Sequence, residues 1–371
     1  VGQNGGIAIG YNTEVTGYLY MSYAPPVNSA PTVLVPGAIQ TSATIVTVTT
    51  TIADIDENIT SSTFQYSTNG TDWTNATIGN VTQDEVGDGV VTSPGSISGI
   101  DTQSDTDNSV DLTIEWMVST DLPDTTTNTV QIRMTPNDGT VDGTTQTSLA
   151  FAIDTAAPSP APGALTVNTT STDSVILNLG TTSTDSNFQE YKVFYKTGSS
   201  GVTESDTAFT SSSVPGDTDL SDSNFNATSD ITISGLSSNT QYVANIWAYD
   251  TYSNTASSTS EIAFYTLAPV PTNVATSSVA TSSVSFSVDT FNNHNSASSS
   301  YFFNISLTAG DVFVSSSGWQ AGDNTWSVDS LSPYTQYTIG VAYRNGDGIG
   351  TTTTTLNFYT LDDTALVPSI S

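Results

Sequence analysis

The stretch Leu236-Ser237-Ser238-Asn239-Thr240-Gln241-Tyr242 returns 95 residues later as Leu331-Ser332-Pro333-Tyr334-Thr335-Gln336-Tyr337. Downstream, Ala263-Phe264-Tyr265-Thr266-Leu267 returns 94 residues later as Asn357-Phe358-Tyr359-Thr360-Leu361. Two elements repeating at one period mark two copies of one module of about that length. Each copy begins after a proline-bearing joint, Ala157-Pro158-Ser159-Pro160-Ala161-Pro162 and Ala268-Pro269-Val270-Pro271. Proline cannot donate to a strand ladder and stiffens the connection between modules.

Outward from this repeat the chain reads as β throughout. Ser283-Val284-Ser285-Phe286-Ser287-Val288 alternates with period two, as does Ser174-Val175-Ile176-Leu177-Asn178-Leu179 apart from Ile176. Such alternation presents one apolar face to a core and one polar face to water. Turn dipeptides are dense: Asn69-Gly70, Asp138-Gly139, Asp142-Gly143, Asn345-Gly346 and Asp347-Gly348. No long stretch combines a 3.6-residue period with good helix formers. A composition with 118 Ser and Thr in 371 residues would suit a disordered stalk. The 36% of apolar and 9% of aromatic residues, placed periodically, argue for packed cores instead.

The spacing of Leu236, Thr240 and Tyr242, and of Leu331, Thr335 and Tyr337, before a β-rich strand resembles the E–F corner of fibronectin type III domains. The resemblance covers 158–267 and 268–361. It implies a β-sandwich in which the hydroxyls of Tyr242 and Tyr337 close back on the backbone at the corner, over the buried Leu236 and Leu331. The tryptophan usual in the second strand of that family is missing, with Leu179 and Val288 near its place. The first copy also carries a Ser- and Asp-rich insertion at roughly 200–230. Residues 28–157 form a different module, similar to Ig-like or cadherin-like repeats of microbial surface proteins. Its marks are Tyr66-Ser67-Thr68-Asn69-Gly70-Thr71-Asp72-Trp73, expected as a hairpin about Asn-Gly, and the closing Phe151-Ala152-Ile153-Asp154-Thr155-Ala156-Ala157-Pro158. The expected fold class is therefore all-β: three tandem Ig-like or fibronectin type III-like β-sandwiches with an N-terminal β-strand extension, residues 1–27, and a short tail, 362–371.

That extension is the anomaly of the sequence. Val15, Gly17, Leu19, Met21 and Tyr23 alternate with Thr16, Tyr18, Tyr20 and Ser22, and Ala24-Pro25-Pro26-Val27 follows. This looks like the last strand of a sandwich with its exit linker, yet no sandwich precedes it. Ile7, Ile9 and Tyr11 add a second alternation upstream. An orphan strand is not stable alone. Ordering it costs roughly 1–2 kcal/mol per residue in backbone entropy, and each buried apolar side chain returns only about 1.5–3 kcal/mol. Ladder bonds to an existing sheet must supply the rest. Three fates are open: addition to the chain's own first sandwich, insertion into a neighbouring copy, or origin of the chain as part of a longer protein. In the second, the contact strand comprises Ile7, Ile9, Tyr11, Val15, Leu19, Met21 and Tyr23, and the partners are copies of the chain joined head to tail.

Charge excludes several function classes. The chain carries 36 acidic residues against four cations, Arg133, Lys192, Lys196 and Arg344, a formal net charge of −32. Phosphate neutralisation needs clustered Lys and Arg, so nucleic acid is not a partner. Anionic membrane surfaces are disfavoured for the same reason, and no apolar run is long enough to span a bilayer. There is no Cys and one His, His294, in the polar run Asn292-Asn293-His294-Asn295 and expected as an exposed loop residue. Thiolate sites, disulfides and Ser/His/Asp catalysis lack material, and the chain reads as non-enzymatic. The cysteine-free, acidic, Ser/Thr-rich composition, with Val at position 1 and no leader, fits a secreted chain at a microbial exterior.

The remaining candidates are sites for ions and glycans. Carboxylates spaced two apart in loops can converge on a hard cation. Asp54, Asp56 and Glu57 form the first candidate for calcium, weighed against solvated loop acids; Asp101, Asp105, Asp107 and Asp111 and then Asp217, Asp219 and Asp222 follow. None matches the EF-hand pattern. Seven acceptors for N-glycans occur: Asn58, Asn69, Asn75, Asn80, Asn168, Asn226 and Asn304. Trp247, Trp319 and Trp326 could stack on surface glycans, although Trp247 reads as packed on its sandwich and Trp319 as part of a turn. Together these features suggest an extracellular filament, pilus-like fibre or surface-layer subunit built by strand addition. The rivals are an adhesin or carbohydrate-binding stalk and a non-catalytic portion of a secreted hydrolase.

Overall fold

The structure, a computed structural model, describes residues 7–10, 20–23, 27–56, 59–84, 89–102, 108–213, 219–225, 230–294 and 298–363. The chain divides into two compact units: Val1–Ala157 with Asp250–Asn254, and Pro158–Tyr249 with Thr255–Ser371.

In the first unit, Val46–Ala53 and Ser109–Trp116 alternate buried and exposed positions and pair antiparallel along their whole length. Ile78–Gln83 extends this sheet on one side, and Thr32–Val33 and Gly37–Gln40 share the other. The second sheet is centred on Ile59–Ser67, flanked by Thr126–Asn137 and Ser96–Asp101. Their inward residues meet in one core containing Phe64, Trp116, Ile52, Ile97, Leu112, Ile132 and Met134. A buried indole needs a partner for its N–H. Trp116 donates to the Asp121 carboxylate (2.6 Å), held by the four-residue helix Val118–Asp121, and Tyr66 stacks on its ring at 5.0 Å.

The Tyr66–Trp73 segment is a hairpin, but not about a two-residue turn. Tyr66 pairs with Thr74, so Ser67–Trp73 is the connection. Ser67 Oγ accepts from the Gly70 amide (2.9 Å) and Asn69 Oδ1 from the Thr71 and Asp72 amides (2.9 Å each). These side-chain caps stabilise a wider loop than the Asn-Gly pair alone requires. Tyr66 faces Trp116, while Trp73 lies under the Arg133 guanidinium at 4.5 Å.

The second unit holds two sandwiches of like plan. In the first, Thr166–Thr170, Ser174–Asn178 and Asp230–Ser234 form one sheet; Thr207–Phe209, Phe188–Thr197, Gln241–Asp250, Thr255–Ser257 and Ile262–Tyr265 form the other. In the second, Ala275–Val279, Val284–Ser287 and Thr325–Val328 face Val312–Gln320, Ser300–Leu307, Gln336–Arg344 and Thr354–Tyr359. The insertion near 200–230 contributes to the core of the earlier of these two sandwiches: Leu220 and Phe225 are buried, and Phe225 packs on Tyr191 at 4.5 Å. Near the place of the missing tryptophan, Leu177 and Leu179 are buried in the core of one copy and Phe286 and Val288 in that of the other. Each corner tyrosine accepts a hydrogen bond from the same backbone position: Tyr242 Oη from the Ser237 amide and Tyr337 Oη from the Ser332 amide, both 2.9 Å.

The N-terminal segment holds two strands rather than one. Ile7–Gly10 and Tyr20–Tyr23 pair antiparallel, with Ile7 opposite Tyr23 and Ile9 opposite Met21. Among the described residues they form a separate two-stranded sheet. Tyr11, Val15 and Leu19 lie outside the described residues.

Candidate interaction surfaces

Within the second unit, the end of one sandwich is joined to the start of the next by a cluster of asparagines. Asn239 sits in the corner loop with a positive φ of 45° and is fully buried. Asparagine tolerates this left-handed backbone better than most residues. Its Nδ2 donates to the Asn292 carbonyl and to Ser299 Oγ, both at 2.5 Å, and its Oδ1 accepts from the Gly346 amide at 3.0 Å. Asn293 Nδ2 donates back to the Asn239 carbonyl (3.0 Å), and Asn345 Nδ2 to the Thr266 carbonyl (3.2 Å). The Tyr265 amide donates to Asp347 (3.2 Å). A Cβ at Gly346 would lie 2.2 Å from the Tyr265 ring, so only glycine admits this approach. Side-chain amides offer donors and an acceptor in one group, which lets a few asparagines satisfy the buried backbone at the joint.

The loop preceding the final strands of each module is headed by an Asx residue. Asn345 Oδ1 accepts from the Asp347 (3.1 Å) and Ile349 (2.8 Å) amides. Asp250, 95 residues earlier, accepts from the Tyr252 (2.9 Å) and Asn254 (2.8 Å) amides. Asp138 does so from Thr140 (2.7 Å) and Val141 (2.8 Å), and also receives Asn28 Nδ2 at 2.7 Å. Burial pushes the Asp138 carboxyl up, but these hydrogen bonds outweigh it and hold it well below the usual range. In the first unit Asn254 Nδ2 donates to the Asp154 carbonyl (2.9 Å) and to Asp250 Oδ2 (2.7 Å). The carboxylates of Asp154 and Asp250, both fully buried, approach within 4.8 Å. Burial raises the Asp250 pKa, and the charge of Asp154 adds to the rise. Nothing in the sequence spacing pairs these two acids.

The sequence-derived calcium candidates bind backbone. Buried Asp54 accepts from the Asp56 amide at 3.0 Å, and Asp56 from the Ser29 amide at 2.5 Å. Glu57 lies outside the described residues, as do Asp105, Asp107 and Asp217 of the other clusters. Of the glycan acceptors, Asn58 and Asn226 lie outside the described residues. Asn69, Asn75, Asn80 and Asn168 are exposed. Asn304 lies mid-strand in Ser300–Leu307, with its Oδ1 buried over Gly340.

The four cations are engaged within the chain. Arg133 stacks on Trp73, Lys192 on Tyr249 (4.3 Å) and Arg344 on Trp319 (4.8 Å), while Lys196 pairs with Asp206 at 3.5 Å. Trp319 belongs to the strand Val312–Gln320 rather than to a turn; Gly318, with φ 67°, makes the bulge there, where the pairing register with Ser300–Leu307 shifts. Trp319 is exposed beside Phe302, whereas Trp247 is buried in a separate cluster with Phe194 and Tyr249, and Trp326 packs on Phe286. His294 is half-buried, not exposed. Its Nδ1 meets the Phe291 carbonyl at 2.6 Å and its ring packs on Phe291 and Tyr301.

Exposed apolar side chains gather at one end of the last sandwich. Leu307 pairs with Val312 and Tyr337, and Tyr337 with Phe358, in one rung across the sheet. Beside that rung stand Val312, Phe313 (65% exposed) and Val314 on the edge strand, Tyr334 (75%) in the corner loop, and Tyr359 and Leu361 at the chain's departure. Among the described residues Val312–Gln320 pairs on one side only.

No family model and no curated protein matches the chain. Solved structures give distant similarities. A two-domain fibronectin type III segment of chicken tenascin is 15% identical and covers 54% of this chain and all of its own, at a TM-score of 0.38. The FN1–FN3 domains of chicken CNTN1 are 15% identical over 90% of this chain and 99% of theirs, at 0.24. The central fibronectin-III array of RIM-binding protein is 16% identical over 56% of this chain and 70% of its own, at 0.21. At these scores the fold rests on the chain's own topology. Three strands facing a sheet built on the corner-tyrosine strand, twice in succession, with the tyrosine closed on its corner both times, define tandem fibronectin type III-like sandwiches. No helix among the described residues is long and apolar enough to cross a membrane.

Proposed function

We propose that this chain is a non-enzymatic structural subunit of an extracellular microbial filament, pilus-like fibre or surface layer, in which copies join head to tail by strand addition. The observation that carries the reading is the N-terminal pair Ile7–Gly10 and Tyr20–Tyr23, which bonds to itself and to no sandwich sheet among the described residues. A two-stranded ribbon is marginal in water and gains stability by joining a larger sheet. The edge strand Val312–Gln320, with Val312, Phe313 and Val314 exposed, offers such a sheet on a neighbouring copy. Glycans on the exposed acceptors, and calcium between acidic loops, fit the same exterior setting.

Electron microscopy and sedimentation of the full chain against a chain lacking residues 1–26 test the reading. The expected result is long polymers from the full chain and none from the shortened one. Unchanged assembly after truncation overturns it. The exposed Trp319, stacked with Arg344, favours the glycan-binding stalk as second reading; a monodisperse full chain that binds polysaccharide would establish that one instead.

A further inference from the structure

The two corner-tyrosine sandwiches share positions but not surroundings. Asn239 and Tyr334 occupy the same corner position, both with positive φ (45° and 49°), and each donates its amide to the chain's departing strand, at Leu267 (3.0 Å) and Leu361 (3.1 Å). Tyr265 corresponds to Tyr359, and Leu267 to Leu361. In the earlier copy this end is covered: Asn239 is fully buried and Tyr265 and Leu267 are half-buried under the next sandwich, whose Asn345-Gly346 turn sits against them. In the later copy no described residue covers the same end. Tyr334, Tyr359 and Leu361 are 75%, 58% and 54% exposed. Aromatic and aliphatic side chains at joint positions, in a chain this polar, mark a surface made to be covered.

The chain carries one more turn of the covering kind. In the first sandwich Asp138 heads a loop one residue shorter but capped in a similar way, its own amide donating to the Val141 carbonyl three residues on (3.4 Å) where Asn345 donates to that of Ile349 four residues on (3.0 Å). A glycine follows each head. Gly346 has the Tyr265 ring against it, whereas the space beside Gly139 is open. The turn lies next to Asn28, where the chain enters this sandwich, and Val141 is exposed on it.

We propose that the bare end of the last sandwich, Tyr334, Tyr359 and Leu361, docks the Asp138-headed turn of the first sandwich of a second copy, repeating between copies the joint found within the chain. The inference rests on the head-to-tail reading above and gives it a second contact. The two are compatible. Residues 24–27 span at most about 14 Å when extended, a tether that leaves the preceding strands of a docked first sandwich, Ile7–Gly10 and Tyr20–Tyr23, on the side of the contact that also carries the Val312–Gln320 edge.

Because the chain has no cysteine, each half of the contact can be marked with a single thiol. Full chains bearing Val141→Cys and Ser332→Cys are mixed and oxidised. The expected product is the mixed disulfide, in about tenfold excess over either like pair. Adding Tyr334→Asp and Leu361→Asp to the Ser332→Cys chain should abolish the excess without changing its melting profile, since both side chains are exposed. If that chain fails to fold, Tyr334→Ser alone serves. An absent excess, a dominant Ser332→Cys like pair, or an excess that survives the aspartates overturns the proposal, whatever else covers the end. Full chains with Ile9→Asp and Met21→Asp separate the two contacts. Polymers that form without the mixed disulfide overturn the docking alone; a mixed disulfide with polymers indifferent to these substitutions overturns strand addition alone.

Discussion

At the scale of single residues, this chain uses polar side chains to close its own backbone. Tyr242 and Tyr337 each accept one corner amide at 2.9 Å from nearly buried rings. Removing one hydroxyl leaves that amide without its partner, so Tyr242→Phe and Tyr337→Phe should each cost about 1 kcal/mol in chemical denaturation. The identical geometry predicts similar costs in the two copies. Asp250 presents a different case. Burial and the neighbouring Asp154 raise its folded pKa above its unfolded value. The stability tied to its protonated form is therefore complete below about pH 3.9 and is lost as pH rises through the folded pKa. The equivalent Asn345 makes the same turn without charge. Asp250→Asn should accordingly gain melting temperature relative to the parent chain as pH rises from 3.5 to 7. A difference between the two that stays flat over that range would exclude the buried ionisation as its cause.

At the scale of elements, the joint between the last two sandwiches depends on one glycine and one left-handed asparagine. A methyl group at Gly346 must displace the Tyr265 ring, which lies 2.2 Å from the new atom. Overpacking of this kind typically costs about 1–3 kcal/mol. Gly346→Ala should lower the calorimetric midpoint of the second unit, while Gly89→Ala, with open space around it, should not. Sequence alone located the loops on both sides of the joint, because Leu236–Tyr242 and Asn345-Gly346 carry local signals. It did not show that they meet. Asn239 and Asn345 are far apart in the chain, and an asparagine in a turn looks the same whether it faces water or another sandwich. The connection around Asn69-Gly70 is longer than the turn dipeptide predicts for a related reason: Ser67 and Asn69 cap amides through side chains, which a two-residue turn does not include. Phe225 shows the converse, a core residue inside a stretch whose Ser and Asp content reads as surface.

At the scale of the whole molecule, a formal charge of −32 makes copies repel one another, although salt screens this beyond about 8–10 Å. Three of the four cations stack on rings of the same chain and the fourth pairs with Asp206, so intermolecular ion pairs have little to draw on. The proposed association would therefore rest on apolar ends and strand ladders, which is why the full-chain and truncated forms are expected to differ so sharply in sedimentation. The local grammar of the fold is written in the sequence. Period-two alternation, turn dipeptides and a repeat of about 95 residues specify strands, their inward faces and two copies of one sandwich, because strand geometry ties each side chain's direction to its place in a short window. Which surfaces are covered is settled in three dimensions. Asn239 and Tyr334 stand at one position of one motif, yet one is buried and the other bare. The N-terminal alternation turned out to be two strands paired with each other. Burial and pairing depend on partners distant in sequence, and a residue's own neighbours along the chain carry no record of them.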